Sequence, residues 1–177
     1  MQISKVIWFT GLSGAGKTTI SDALLLILKK KGYLVQNLDG DVLRKGLNKD
    51  LGFDMVSRIE NIRRAAEVSK ILMDSGVICL CSFITPTLEI RQKVRDIIGP
   101  TNLIEVFVNA PLNVCEHRDV KGLYKKAREG VIPEFTGISS PFEHPDNADI
   151  EIRTDLLSIE ESVNKCLEVI LPAISHT

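Results

Sequence analysis

One stretch of eight residues limits the folds open to this chain more than any other feature. Gly11-Leu12-Ser13-Gly14-Ala15-Gly16-Lys17-Thr18 matches G-x-x-x-x-G-K-[ST]. It follows a short apolar run, Ile3 to Thr10, and opens a helical pattern from Lys17 to Lys31 that stops at Gly32. A strand, a glycine-rich turn and a helix in that order form a phosphate cradle. Glycines let the backbone fold back so that its N–H groups converge on phosphate oxygens, and the helix N-terminus adds positive potential. The pattern therefore implies a nucleotide held by Gly11, Ser13, Gly14, Ala15, Gly16, Lys17, Thr18 and Thr19. Lys17 is placed to meet β- and γ-phosphates, and the Thr18 hydroxyl to meet Mg²⁺.

The rest of the chain repeats the alternation that the cradle begins. Strand-like runs cover Tyr33 to Leu38, Val77 to Ile84, Leu103 to Val108 and Ile150 to Ile152. Helical periods cover Val56 to Asp74, Leu88 to Ile98 and Ile159 to Leu171, the last halted by Pro172. Apolar strands alternating with helices predict an α/β fold, the three-layer P-loop NTPase type, with a mostly parallel sheet covered on both faces. Ligands are expected beyond the carboxyl ends of the strands. A chain of 177 residues suits one such domain over 1–177. Asp119 to Asn147 fits the alternation poorly, being charged, proline-bearing and without clean period beyond Gly130. Such a segment inside a domain is expected to be a lid over the site.

Composition excludes several partners. A net charge of −1 gives no support to a general nucleic-acid or membrane surface, and no apolar run approaches the roughly 18–20 residues of a membrane span. Met1 to Trp8 does not read as a signal peptide. Cys79, Cys81, Cys115 and Cys166 are too few for a disulfide scaffold and lack zinc spacing, so buried reduced thiols and a cytoplasmic location are expected. His117, His144 and His176 show no catalytic or metal pattern.

The second strand ends in Leu38-Asp39-Gly40-Asp41, followed by Arg44. In a parallel sheet this puts two carboxylates beside the cradle, where Asp41 could take a proton from an attacking hydroxyl and Asp39 could hold a metal-bound water. Gly40 is expected to supply a tight turn between them. Asp39 or Asp41 could equally act as a helix N-cap. These residues leave the phosphoryl acceptor open. A kinase for another small metabolite fits, and so does a nucleotide-binding switch without acceptor, although no N/T-K-x-D motif for guanine is present.

Longer segments resemble one family. Gly11 to Thr19, Leu38 to Arg44, Gly46 to Phe53, Arg58 to Arg64, Cys115 to Asp119, Lys121 to Ala127 and Phe135 to Ile138 follow adenylylsulfate kinases in order over nearly the whole chain. The resemblance implies ATP-dependent, Mg²⁺-assisted phosphorylation of the 3′-hydroxyl of adenosine 5′-phosphosulfate. It implies Phe53 and Phe135 on the two faces of the acceptor adenine, and Arg44, Arg58 and Asn61 on its phosphosulfate. Ile84 and Thr85 would line the acceptor, Lys121 would approach from the lid, and Arg118 would pack on the ATP adenine. Lys17, Asp39 and Asp41 are the implied catalytic set. A homodimer and functional coupling to ATP sulfurylase belong to the same expectation.

Departures gather on the acceptor side. The family's frequent Ser-Pro-Tyr reads Thr85-Pro86-Thr87 here, followed by Leu88 and Glu89 in place of arginines, with Arg91 kept in register. Direct in-line transfer is therefore expected, without a phosphoserine intermediate. Pro141-Phe142-Glu143-His144-Pro145 replaces the usual Pro-Tyr-Glu-x-Pro. The chain starts almost at its first strand, so control functions lodged in an N-terminal extension are not expected.

Overall fold

Five parallel strands form the centre of the computed structural model, which describes residues 2–175; His176 lies outside them. In chain order they are β1 (Val6–Thr10), β2 (Val35–Asp39), β3 (Ile78–Ser82), β4 (Leu103–Asn109) and β5 (Ile150–Arg153), arranged β2-β3-β1-β4-β5. Alternation along each strand divides its side chains between two cores. Ile7, Phe9, Leu80, Val106 and Val108 face one side, under α1 (Lys17–Lys30) and α7 (Ile159–Ile174). Val6, Trp8, Cys79, Cys81 and Leu103 face the other, under α3 (Met55–Asp74) and α4 (Leu88–Ile98). Every residue of β1 and β3 is buried, which explains their unbroken apolar character.

All four cysteines are buried and unbridged, with Cys79 and Cys81 on one face as the strand period requires. Burial pushes Cys79 and Cys166 up to about 12, so both stay thiols at neutral pH.

Three short helices lie outside the sequence pattern: α2 (Gly40–Lys45), α5 (Leu112–Arg118) and α6 (Leu123–Arg128). None is long enough to show a clear apolar period. Pro172 does not halt the last helix, which runs on to Ile174. Pro172 removes one donor near the end of α7, while the fully buried Ile170 and Ile174 keep the final turn on the core. The first strand starts at Val6 rather than Ile3, whose N–H instead donates to the Ile174 carbonyl at 2.8 Å.

The segment 119–147 is partly structured. It begins with α6, and Tyr124, Ala127 and Phe135 join the core. Its far end is fastened by Glu143, whose N–H donates to the Pro86 carbonyl and whose carboxylate accepts from Leu88 N–H.

Candidate active site

The parallel order brings the ends of β1, β2 and β3 to one edge, and the residues singled out from sequence gather there. Gly11 begins the loop after β1. A Cβ at this position would lie 2.4 Å from the Val108 carbonyl oxygen of β4, so only glycine lets the two backbones approach. Gly14 and Gly16 take positive φ values of 74° and 105°. Contacts from later in the chain support the loop from beneath. Tyr124 donates its hydroxyl hydrogen to the Ser13 carbonyl at 2.9 Å, and Thr154 donates to the Ala15 carbonyl at 2.7 Å. Neither Tyr124 nor Thr154 could be found from local sequence, because both act across more than a hundred residues.

Lys17 is buried, and its ammonium donates to the carbonyls of Gly11 and Leu12 at 2.9 and 2.8 Å. Burial lowers its pKa to about 8, partly offset by Cys115, Asp39 and Asp41. Thr18 donates its hydroxyl hydrogen to Asp39 Oδ2 at 2.8 Å. The other Asp39 oxygen accepts from Asp41 N–H at 2.8 Å and caps α2. Asp39 is thus the N-cap of α2, with its second oxygen on Thr18 of the glycine-rich loop's helix. Gly40 is corrected. It is the first helical residue of α2, where a Cβ would crowd the Phe83 ring at 3.2 Å. Thr19 is exposed on α1.

Asp41 points out of the fold and pairs with Lys121, which reaches it from the segment after α5. Arg44 donates to the carbonyls of Leu51 and Gly52, and its guanidinium lies 4.3 Å from the Phe53 ring centre. Phe53 itself is 63% exposed, unusual for phenylalanine in a folded chain. Arg58 donates to the Phe53 carbonyl, the Glu134 carbonyl and the Thr136 hydroxyl. It thereby ties the Phe53 turn to the 134–136 turn. Phe135, expected on the acceptor adenine, is instead mostly buried, edge-on to Tyr124 at 5.0 Å. Asn61 is buried on α3 and accepts from Asn48.

Ile84 and Thr85 lie at the end of β3, but much of their polar capacity is occupied. The Ile84 carbonyl accepts from Thr10, and the buried Thr85 hydroxyl accepts from the Trp8 indole N–H at 2.9 Å. Arg118 extends beneath the loop to the carbonyls of Gly14, Ala15 and Thr154. The oxygens of Thr18 and Asp39, close together beside Lys17, form a donor set suited to a hard cation that takes its remaining ligands from phosphate and water.

Sequence reasoning missed two residues of the acceptor side. Asn48 stood within the quoted Gly46 to Phe53 segment but had no assigned task. Arg91 was noted only for its register; it donates to the Thr85 carbonyl and to the Glu143 carbonyl and sits near buried Glu105.

Comparison with known proteins follows the same outline. The family model for adenylylsulphate kinase matches residues 3–153. An adenylyl-sulfate kinase of Bacteroides fragilis is 54% identical over 171 residues, 97% of this chain and 85% of that protein. One from Halothermothrix orenii is 57% identical over 162 residues, 92% of this chain and 86% of that protein. Among solved structures, the Mycobacterium tuberculosis APS kinase CysC in complex with AMPPNP and APS matches with a TM-score of 0.92 and 42% identity, covering 97% of this chain and 99% of that one. A hexameric APS kinase from Thiobacillus denitrificans matches at 29% identity with a TM-score of 0.72; 94% of this chain corresponds to 28% of that one. With its family match spanning the glycine-rich loop, the acidic turn and the 119–147 segment, the chain belongs to the adenylylsulphate kinase family.

Proposed function

We propose that this chain transfers the γ-phosphoryl group of ATP to the 3′-hydroxyl of adenosine 5′-phosphosulfate, giving 3′-phosphoadenosine 5′-phosphosulfate and ADP. The observation that carries this reading is full-length similarity to an APS kinase crystallised with AMPPNP and APS. The site supports it: a phosphate cradle at the end of β1 stands beside two carboxylates at the end of β2.

In the reaction a bond forms between the acceptor 3′-oxygen and the γ-phosphorus, and the bond from that phosphorus to the β–γ bridging oxygen breaks. Lys17 and the loop N–H groups hold the transferring phosphates, and Asp41 orients the hydroxyl and takes its proton. Thr18 and, through water, Asp39 would hold Mg²⁺, which when bound would offset negative charge on the β- and γ-phosphates. Arg44, Arg58 and Asn61 bind the phosphosulfate, where planar guanidinium groups suit oxyanions. Phe53 gives the acceptor purine an exposed face, and Phe135 closes the opposite side as the 134–136 turn shifts. Lys121 leaves Asp41 for the anionic ligands, Arg118 packs on the ATP adenine, and backbone at Ile84 and Thr85 borders the acceptor. Residues 119–147 close over both ligands and exclude water.

The same reading makes the chain one kinase unit, a cytoplasmic homodimer working beside the ATP sulfurylase that supplies its acceptor. No helix among the described residues is long and apolar enough to cross a membrane.

The test is incubation with Mg·ATP and adenosine 5′-phosphosulfate, with both products followed by mass. Equimolar ADP and 3′-phosphorylated product, lost in Lys17→Ala, is the expected result. ADP release without phosphorylated acceptor would overturn the reading.

A further inference from the structure

We infer that Asn48 is a positioning residue that fixes the amide of Asn61 so that its N–H groups, and not its carbonyl, are offered to the anionic acceptor. The inference rests on the proposed reading of Asn61 as a phosphosulfate ligand and goes one residue behind it.

The backbone carbonyl of Asn61 lies 3.5 Å from Asn48 Nδ2, and Asn61 Oδ1 lies 2.9 Å from the same nitrogen. A backbone carbonyl has no donor form, so the Asn48 amide must turn its NH₂ toward α3. An NH₂ in that place then selects oxygen, not nitrogen, as the Asn61 atom facing it. What remains of the Asn61 amide is its Nδ2 with two hydrogens, the polarity that an anion requires. Reversing Asn61 would set two NH₂ groups against each other. Reversing Asn48 would set its oxygen against two acceptors.

The surroundings make this arrangement firm. Asn48 is fully buried and Asn61 is 6% exposed, so water cannot readily satisfy a wrongly turned amide. Asn48 Oδ1 is buried without a partner, a cost that this orientation carries against its donation to Asn61. The turn that carries Asn48 is held independently. Its N–H donates to the Leu43 carbonyl at 2.8 Å, and Arg64 grips Asp50 and the Leu47 carbonyl. Asn61 lies one turn after Arg58 on α3, so both present donors along one stripe of that helix.

The test compares Asn48→Ala, Asn61→Ala and the double variant. For each, KM is measured for adenosine 5′-phosphosulfate and for ATP, with the thermal midpoint as a check on folding. Each single change is expected to raise the acceptor KM about tenfold, as for loss of a hydrogen bond to a charged group, with the ATP KM within about twofold. The double variant is expected to be no worse than Asn61→Ala alone, because Asn48 acts only through Asn61. Multiplied effects in the double variant would overturn the inference, as would equal rises in both KM values, since either would mean that Asn48 only supports the turn. An unchanged acceptor KM in Asn61→Ala would instead overturn the reading of Asn61 on which the inference stands. Asn48→Ser serves for the same comparison where the alanine variant does not fold.

Discussion

Lys17 carries a charge in a place where burial opposes it. Its pKa falls from the ordinary 10.5 to about 8 because the ammonium is desolvated. Between those values the unfolded chain binds the extra proton, so stability rises with pH across that window and the charge costs stability below it. Phosphate oxygens are drawn to the protonated form. Affinity for a non-hydrolysable ATP analogue is therefore expected to be flat below about pH 7 and to weaken toward tenfold per unit above the Lys17 pKa of about 8. Calorimetric titration from acid to alkaline pH measures this, and affinity unchanged through pH 10 would refute it. A second expectation concerns Asp41. Asp41→Asn keeps the size of the side chain but removes its basicity and its charge pairing with Lys121, so kcat should fall at least about a hundredfold while ATP affinity stays within about twofold. Near-normal turnover would remove Asp41 as proton acceptor.

Among the elements, the longest were the most legible. The apolar runs of β1 and β3, polar only at Thr10 and Ser82 where each strand ends, and the helical periods of α1, α3 and α4 announced a parallel sheet with two helical layers. The short helices α2, α5 and α6 carry too few residues for a period, and the end of α7 is set by burial of Ile174 in spite of Pro172. Site residues followed the same division. Lys17, Thr18 and Asp39 were visible because their motifs are local. The ties made by Arg58, Arg118 and Tyr124 were not, because each joins segments distant in sequence. Arg91 on α4 is the clearest case. It connects the end of β3 to the far end of the 119–147 segment through the carbonyls of Thr85 and Glu143, with Glu105 as a buried counter-charge. Burial already holds the Glu105 carboxyl above the usual carboxylate range. Arg91→Met would leave that carboxylate with Arg95 alone, 3.3 Å away, and is expected to cost about 1–3 kcal/mol in urea unfolding, less than the about 3–5 kcal/mol of a fully orphaned buried charge. The loss should shrink as the pH falls and Glu105 takes up a proton. Arg91→Met combined with Glu105→Leu should recover at least half of it. A double variant no better than the single would show that the hydrogen bonds to the two carbonyls, rather than the charge pair, dominate.

Across the whole molecule, the site divides between strand ends that answer to different ligands. On the proposed function, the end of β1 and Asp39 of β2 would hold phosphate and metal, whereas the 44–61 stretch and the 134–136 turn, tied together by Arg58, would hold the acceptor. That division predicts how ligands stabilise the fold. A ligand at a hundred times its Kd adds about 2.7 kcal/mol, roughly 5–10 °C in Tm for a chain of this length. A non-hydrolysable ATP analogue with Mg²⁺ and adenosine 5′-phosphosulfate should each produce a shift of that order. Chelation of Mg²⁺ should then collapse most of the shift from the ATP analogue, because the polyphosphate charge is no longer offset beside Asp39 and Asp41. The shift from the acceptor alone should remain, since on the proposed reading Arg44, Arg58 and Asn61 supply its countercharge and hydrogen bonds directly. Equal loss of both shifts on chelation would mean that the acceptor also depends on the metal, and the division of the sheet edge into two sites would have to be abandoned. Loss of neither would remove Thr18 and Asp39 from the metal, leaving Asp39 as the cap of α2 alone.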